Sequence, residues 1–187
     1  MRPGGSSQKG SKFERDICRK LSLWISNGKN VNVFWRTAAS GARATTAAKR
    51  GVRIKPHEGD IAAIDEMGTD FIDTFLIECK HRRDLDLGSF LCGQGGYILK
   101  VWRRLRRDSR KLNKRPMMIF KNNRCDVLLM LDRKGFKLIF GGEADGRDAT
   151  SDGTPDLRLI SDKRNAYIVT LDEFCEFAVI GMQETVH

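Results

Sequence analysis

Two short apolar stretches, residues 59–64 and 75–80, carry charged residues at ends that a β-hairpin brings together. The first stretch has Asp60 at its start, and the second ends in Glu78-Cys79-Lys80. Gly68-Thr69 lies between them and predicts the turn of the hairpin. If the two strands pair antiparallel, the two acids lie side by side at one end. The chain is therefore expected to build a sheet that displays two carboxylates at one edge.

The alternation of side chains along a strand predicts which residues of the second stretch share a face. Glu78 and Lys80 fall on one face, and Cys79 points to the other. Two carboxylates and one amine would then converge beside the sheet edge. Hard oxygen ligands suit Mg²⁺, and a nearby ammonium suits an anionic substrate or an activated water. The pattern predicts a metal site with a lysine beside it.

The charge of the chain is uneven along its length, although it totals +10. Residues 1–55 carry a net charge of +11, residues 56–79 carry −7, residues 80–115 carry +9 and residues 116–187 carry −3. A basic surface attracts phosphate backbones, and an acidic cluster inside it is costly unless a metal balances it. This arrangement favours a nucleic-acid substrate. The charge alone does not separate RNA from DNA.

The composition is that of a soluble globular protein, with 187 residues and a hydrophobic fraction of 40%. The sequence shows no apolar run that would span a bilayer and no signal peptide, so a cytoplasmic location is expected. Residues 1–11 are expected to be a flexible basic segment. The five cysteines are odd in number and lack CxxC spacing, which predicts reduced thiols and no zinc ribbon.

Hydrophobic periodicity and turn residues predict an α-β-β-β-α-β order of elements, followed by further strands and a closing helix. Helices are expected at residues 12–26 with Ser11 as the cap, at 89–112 and at 171–180. Strands are expected at residues 31–36, 60–66, 71–80, 117–121, 127–131, 136–140 and 167–170, and loops at 37–55 and 143–155.

Four segments in this order carry a resemblance to a known superfamily. Glu14 lies early in the first helix, in the phrase Lys9-Gly10-Ser11-Lys12-Phe13-Glu14-Arg15. The strand Val33-Phe34-Trp35-Arg36 runs into a Ser40-Gly41 loop, and Gly59-Asp60 and Glu78-Cys79-Lys80 follow. In this order the chain resembles the PD-(D/E)xK nuclease superfamily, and within it the archaeal-type Holliday junction resolvases. The resemblance covers residues 9–131.

The resemblance implies an α/β fold with a restriction-endonuclease-like core (αβββαβ), in which helices flank a mixed central sheet. It implies one nuclease domain over residues 12–187, with the core at about 12–131 and a C-terminal extension at about 132–187. The usual proline before the first sheet acid is Gly59 here, a change expected to be compatible with the same turn. The extension has no counterpart in the resemblance.

The resemblance also implies the roles of the site residues. Glu14, Asp60, Glu78 and Lys80 match the catalytic set. Asp60 and Glu78, with the backbone carbonyl of Cys79, would hold Mg²⁺ or Mn²⁺, and Glu14 would ligate a second metal or a metal-bound water. Lys80 would position the attacking water or a phosphate oxygen. An alternative for Glu14 is a favourable interaction with the helix dipole alone.

DNA contacts are expected from basic residues on both sides of the acidic block. Ser40 matches the loop serine of the resemblance, and Arg36 matches the basic residue before it. Trp35 and Trp102 are the residues that would stack on bases, although Trp102 falls in an apolar stripe that favours the core. The full set assigned to DNA is Arg36, Ser40, Arg43, Lys49, Arg50, Arg53, Arg82, Arg83, Arg103 and Arg107.

Three functions are compatible with these observations. The leading one is a structure-selective DNA endonuclease that resolves four-way junctions as a homodimer, because two symmetric strands need two active sites. A second is another endonuclease of the same superfamily, of restriction, repair or nicking type. The third is a non-catalytic nucleic-acid-binding protein. It ranks last because all four candidate catalytic residues are present.

Overall fold

The computed structural model describes residues 5–37, 59–83, 85–91, 94, 96–123, 125–141, 158–160 and 166–178. The chain divides into two compact units, Met1–His81 and Arg82–His187. Most of the loop predicted at residues 37–55 and all of the loop predicted at 143–155 lie outside the described residues. In the described part of the chain, no helix has both the length and the apolar character needed to cross a bilayer.

The first unit opens with helix α1, Gly5–Ile25, whose predicted apolar face is buried at Phe13, Ile17 and Leu21. The helix begins seven residues before the predicted start, so residues 5–11 are helical and Ser11 is not its cap. No proline interrupts residues 5–25, and a side chain at Gly10 would meet nothing within 4 Å, so the helix extends without a steric barrier. It ends as predicted at Asn27-Gly28, where Gly28 has a φ of +80° and donates to the carbonyl of Leu23.

Strand β1, Phe34–Arg36, pairs antiparallel with β2, Ile61–Ala63. Thr37 extends the pairing by donating its N–H to the carbonyl of Asp60 at 2.9 Å. The buried hydroxyl of Ser22 on α1 accepts hydrogen bonds from the N–H groups of Val33 and Phe34, at 3.1 and 2.9 Å. This contact satisfies two backbone donors and ties β1 to the first helix.

The segment between β2 and the next strand is helical, so the predicted hairpin turn at Gly68-Thr69 is wrong. A 3₁₀ helix at Glu66–Gly68 is followed by α2, Thr69–Thr74, and then by β3, Phe75–Arg82. A side chain at Gly68 would lie 2.6 Å from the ring of Phe34, so close packing requires this glycine. Phe71 of α2 is fully buried and packs between the rings of Phe34 and Phe75. The strand predicted at residues 71–80 therefore begins only at Phe75, because residues 71–74 belong to the helix that buries Phe71.

The second unit begins with two helices, α3 (Leu87–Leu91) and α4 (Tyr97–Lys111), in place of the single helix predicted at 89–112. Gly96 precedes α4 at a φ of +150°, a conformation that ends a helix. The apolar stripe predicted for α4 is confirmed, because Ile98, Val101, Trp102 and Leu105 are buried. The helix ends at Lys111, and two residues later Asn113 adopts a φ of +55° that turns the chain back.

The strands of the second unit are β4 (Arg115–Asn122), β5 (Leu128–Leu131), β6 (Arg158–Ile160) and β7 (Ala166–Thr170). They lie in the order β4-β5-β7-β6, with β5 antiparallel to both β4 and β7 and β6 antiparallel to β7. The C-terminal part of the chain thus supplies β7 as the neighbour of β5. Helix α6, Leu171–Phe177, follows with a capping box between Thr170 and Glu173.

The strand predicted at residues 136–140 is wrong, because this segment is helix α5, Arg133–Phe140. Asp132 caps its first turn by accepting from the N–H of Gly135, and Gly141 ends it at a φ of +69°. Both ends therefore carry the signals of a helix, and Phe136 and Ile139 are buried at helical spacing. The predicted α/β class and restriction-endonuclease-like core are confirmed, with α2 as an additional helix between β2 and β3 and with two helices instead of one before β4.

Candidate active site

Asp60 is held where the chain enters β2, immediately after a glycine whose conformation is special. Gly59 has a φ of +79°, and a Cβ at this position would lie 2.6 Å from the carbonyl oxygen of Ile77. Proline fixes φ near −65°, so the expectation that Gly59 keeps the turn of the usual proline is wrong. The glycine allows the backbone to approach β3, where the N–H of Asp60 donates to Ile77 at 2.8 Å.

The β3 residues show the alternation that the sequence predicts. Cys79 is buried, whereas Glu78 and Lys80 are half-buried on the opposite side. The N–H of Cys79 donates to Oδ2 of Asp60 at 2.7 Å. A charge-assisted hydrogen bond of this length fixes the orientation of the Asp60 carboxylate.

The ammonium of Lys80 lies among three oxygen atoms of the predicted metal-ligand set. Its Nζ is 2.7 Å from Glu78 Oε1, 3.0 Å from the carbonyl oxygen of Cys79 and 3.4 Å from Asp60 Oδ2. Two of the oxygens come from the adjacent residues Glu78 and Cys79, and the third comes from Asp60, which precedes them by 18 and 19 positions. They converge on one positively charged atom.

Glu14 reaches the same region from α1. Its Oε2 lies 3.0 Å from the buried Nε of Arg36, so the two side chains form an ion pair. Burial raises the pKa of Glu14, and the negative charge of Asp60 raises it further. The positive charges of Arg36 and Lys80 oppose this effect. The structure therefore brings all four predicted catalytic residues into one electrostatic neighbourhood.

Whether these residues fit a metal depends on their donor atoms. Among the described residues, no group of three or more His, Cys, Asp or Glu side chains is arranged to hold a metal ion. The oxygens around Lys80 include a backbone carbonyl, which such a group of side chains does not contain. Burial raises the pKa of the Cys79 thiol well above its usual range, so this residue offers its carbonyl oxygen rather than a thiolate. A set made only of carboxylate and carbonyl oxygens fits a hard divalent cation.

Thr37 is a site residue that the sequence did not reveal. Its hydroxyl donates to the carbonyl oxygen of Gly59 at 2.6 Å, which fixes the end of β1 against the residue before Asp60. The available signal was its position directly after the strand that ends in Arg36. A threonine at a strand end is too common for that position to indicate a role.

The residues assigned to DNA fall into three groups. Arg82, Arg83, Arg103 and Arg107 are exposed, and the guanidinium of Arg82 lies 4.1 Å from the centre of the Tyr97 ring. Arg36 is paired with Glu14 rather than open to solvent. Ser40, Arg43, Lys49, Arg50 and Arg53 lie outside the described residues.

The two tryptophans differ in exposure. Trp35 is 37% exposed, which leaves its ring accessible to a base. Trp102 is 1% exposed, and its assignment to the core is confirmed.

Comparison with known proteins gives one family and one structure. The family model described as "Phage putative PDDEXK endonuclease" matches residues 5–178. No curated protein matches the chain. Among solved structures, Hjc, a Holliday junction resolvase from the archaeal hyperthermophile Archaeoglobus fulgidus, is similar at 15% identity and a TM-score of 0.32. The alignment covers 93% of this chain and 98% of that one. The family match spans nearly the whole chain, which therefore belongs to the phage PDDEXK endonucleases.

Proposed function

We propose that this endonuclease hydrolyses phosphodiester bonds in DNA with the help of Mg²⁺ or Mn²⁺ held at the oxygens around Lys80. The observation that carries the proposal is the convergence of Asp60 Oδ2, Glu78 Oε1 and the Cys79 carbonyl within 3.4 Å of one ammonium nitrogen. These oxygens already stabilise a positive charge. A divalent cation bound by these oxygens in place of the ammonium would lower the pKa of a bound water and neutralise charge on the scissile phosphate.

The residues of the chain divide the remaining work. The Cys79 N–H holds the Asp60 carboxylate in one orientation, and Gly59 brings that residue against β3. Arg36 pairs with Glu14 and so favours its charged form. A cation at these oxygens would displace the ammonium of Lys80, which would then position a water or a phosphate oxygen. Orientation by the protein before substrate arrives reduces the cost of reaching the transition state.

For the substrate, we favour branched DNA with four-way junctions, cut by a homodimer. The order of Glu14, the Arg36 strand, Asp60 and Glu78-Cys79-Lys80 supports this choice, because it resembles that of archaeal-type junction resolvases. The exposed arginines Arg82, Arg83, Arg103 and Arg107 supply cations for phosphate contacts. A symmetric junction presents two equivalent strands, which a two-fold dimer can cut with two sites.

The test is incubation of the protein with a synthetic four-way junction, a linear duplex and a single strand, with and without Mg²⁺ or Mn²⁺. Symmetric nicks near the branch point that need the metal support the proposal. Equal cutting of the linear duplex would assign a general endonuclease instead, and no cutting of any DNA with either metal would reject the proposal.

Variants connect the activity to the site. Asp60→Asn and Lys80→Ala are expected to abolish cleavage while junction binding is retained. Glu66→Gln removes an exposed carboxylate from the 3₁₀ helix and serves as the matched control. Cleavage by Asp60→Asn at the rate of the control would rule out the assigned site.

A further inference from the structure

A basic pocket of about 210 Å³ lies in the second unit, at the turn between α4 and β4. Five cations and one carboxylate line it: Arg106, Arg110, Lys114, Arg115, Lys134 and Asp132. A concave surface lined mainly by one sign of charge concentrates its field and attracts ions of the opposite sign. None of these residues belongs to the carboxylate site around Lys80.

The turn after α4 creates the pocket. Asn113 adopts a left-handed φ of +55°, and the N–H of Lys114 donates to the carbonyl of Ser109 at 2.8 Å. The chain therefore folds back on the helix, and Lys114 and Arg115 come to lie beside the cations of its last turns. Lys114 is 8% exposed, whereas Arg110 and Lys134 are exposed. The positive charge thus continues from the interior to the surface.

Helix stabilisation explains only part of this charge. Arg110 lies in the last turn of α4, where the helix dipole favours a cation. Lys134 lies in the first turn of α5, where the dipole disfavours a cation and favours an acid, and that turn contains no acid. Asp132 accepts from the Gly135 N–H and lies 4.0 Å from Nη1 of Arg115, so the lining sets one carboxylate against five basic side chains. An anion in this pocket would therefore meet a lining that is mainly positive.

The surface next to the pocket indicates an extended anion. Arg103, Arg106, Arg107 and Arg110 occur at intervals of three and four residues and so share one face of α4. This arginine stripe runs about 10 Å along the helix and ends in the pocket. That length corresponds to about three steps of a duplex, at roughly 3.4 Å per step along one strand. A polyanion with regularly spaced charges can occupy both the stripe and the pocket.

We infer that the pocket binds a phosphate group of the DNA backbone and that the arginine stripe contacts the phosphates next to it. The inference rests on the proposed function for its choice of DNA. The site provides affinity without reading sequence, because phosphates carry no base information. The same phosphate chemistry is offered by a free polyphosphate, so the test must separate the two sources.

The test compares two double variants that remove the same charge. Arg110→Gln with Lys134→Gln changes two exposed pocket residues, and Lys111→Gln with Arg133→Gln changes their exposed sequence neighbours, which do not line the pocket. Affinity for a labelled duplex is measured without divalent metal over a range of salt concentrations. Pyrophosphate binding is measured in parallel by calorimetry, and thermal melting checks that both variants are folded.

The pocket variant is expected to bind duplex roughly tenfold more weakly at low salt. Its plot of log affinity against log salt should be shallower by about 1–2, since each lost phosphate contact contributes about 0.9. The control variant should change much less. Equal losses of duplex affinity in both variants would overturn the inference, because the affinity would then depend on the total positive charge and not on the pocket. Unchanged affinity in both would also overturn it and would leave these cations with a structural role only.

Pyrophosphate separates the two sources of phosphate. Loss of pyrophosphate binding in the pocket variant, with an unchanged salt slope for duplex, would overturn DNA as the occupant and assign a free polyphosphate. Failure of the proposed function has a different signature, because the unmodified protein would then cleave no DNA with either metal, whatever the two double variants bind. Binding by the unmodified protein with no change in the pocket variant rejects the pocket alone.

Discussion

The Nε of Arg36 lies 3.0 Å from Oε2 of Glu14, and this ion pair joins strand β1 to helix α1 beside Asp60. The sequence predicted that Arg36 contacts DNA. Its partial burial and its acidic partner instead suit a residue that adjusts the charge of Glu14.

Replacement of Arg36 tests this role. Arg36→Gln removes a positive charge that lowers the pKa of Glu14, so that pKa should rise. If the charged form of Glu14 is required, the acid limb of the pH–rate profile moves to higher pH and cleavage near neutral pH falls, while junction affinity is largely kept. Arg15→Gln, on the exposed side of α1, is the control. If Arg36→Gln lost junction affinity while its pH–rate profile stayed unchanged, Arg36 would instead be a DNA-binding residue, as the sequence predicted.

The stability of the protein should depend on Glu14 in a pH-dependent way. Burial raises the folded pKa of Glu14 above its unfolded value of about 4.3. Its stabilising contribution is present below the unfolded pKa and is lost as pH rises through the folded pKa. In metal-free buffer, Glu14→Gln should therefore be more stable than the unmodified protein at pH above the folded pKa, with the difference vanishing near pH 4. Denaturant unfolding across pH measures this, and a difference independent of pH would contradict it.

Gly59 and Gly28 form a matched pair for testing the crowded approach to β3. Both have a φ near +80°, but a Cβ at Gly28 would meet nothing within 4 Å, whereas one at Gly59 would lie 2.6 Å from Ile77 oxygen. Gly28→Ala should cost about 1–2 kcal/mol of unfolding free energy from backbone strain alone. Gly59→Ala should cost roughly 1–3 kcal/mol more and reduce cleavage, because Asp60 must shift. Equal losses of unfolding free energy in the two variants, measured by urea unfolding, would show that the contact with Ile77 does not add to the strain at Gly59.

Metal binding should compete with the ammonium of Lys80. Lys80→Ala leaves Asp60 and Glu78 without their shared cation, so added Mg²⁺ should raise its melting temperature more than that of the unmodified protein. A metal at a hundredfold excess over its Kd adds about 2.7 kcal/mol of stability. Asp60→Asn and Glu78→Gln should reduce the shift. If Mg²⁺ left the melting temperatures of all four proteins unchanged, the metal would not bind at these oxygens.

Local patterns in the sequence determined many of the elements. The two-residue alternation of β3 correctly predicts that Cys79 is buried while Glu78 and Lys80 share the other face. The apolar spacing of α4 correctly predicts the burial of Trp102. These features are local, because the period of side chains along a helix or strand is fixed by backbone geometry. The order of the acidic motifs likewise predicted the superfamily to which the matching family belongs.

Tertiary packing decided the features that depend on residues far apart in the chain. The connection at residues 66–74 is helical because Gly68 and Phe71 pack against Phe34. The partner of Arg36 is a residue 22 positions earlier, and the conformation of Gly59 is required by a carbonyl on β3. The pocket near Asn113 exists because the chain folds back on α4. Sequence periodicity predicts the face of a helix or strand on which a residue lies, whereas tertiary packing determines which residues that face contacts.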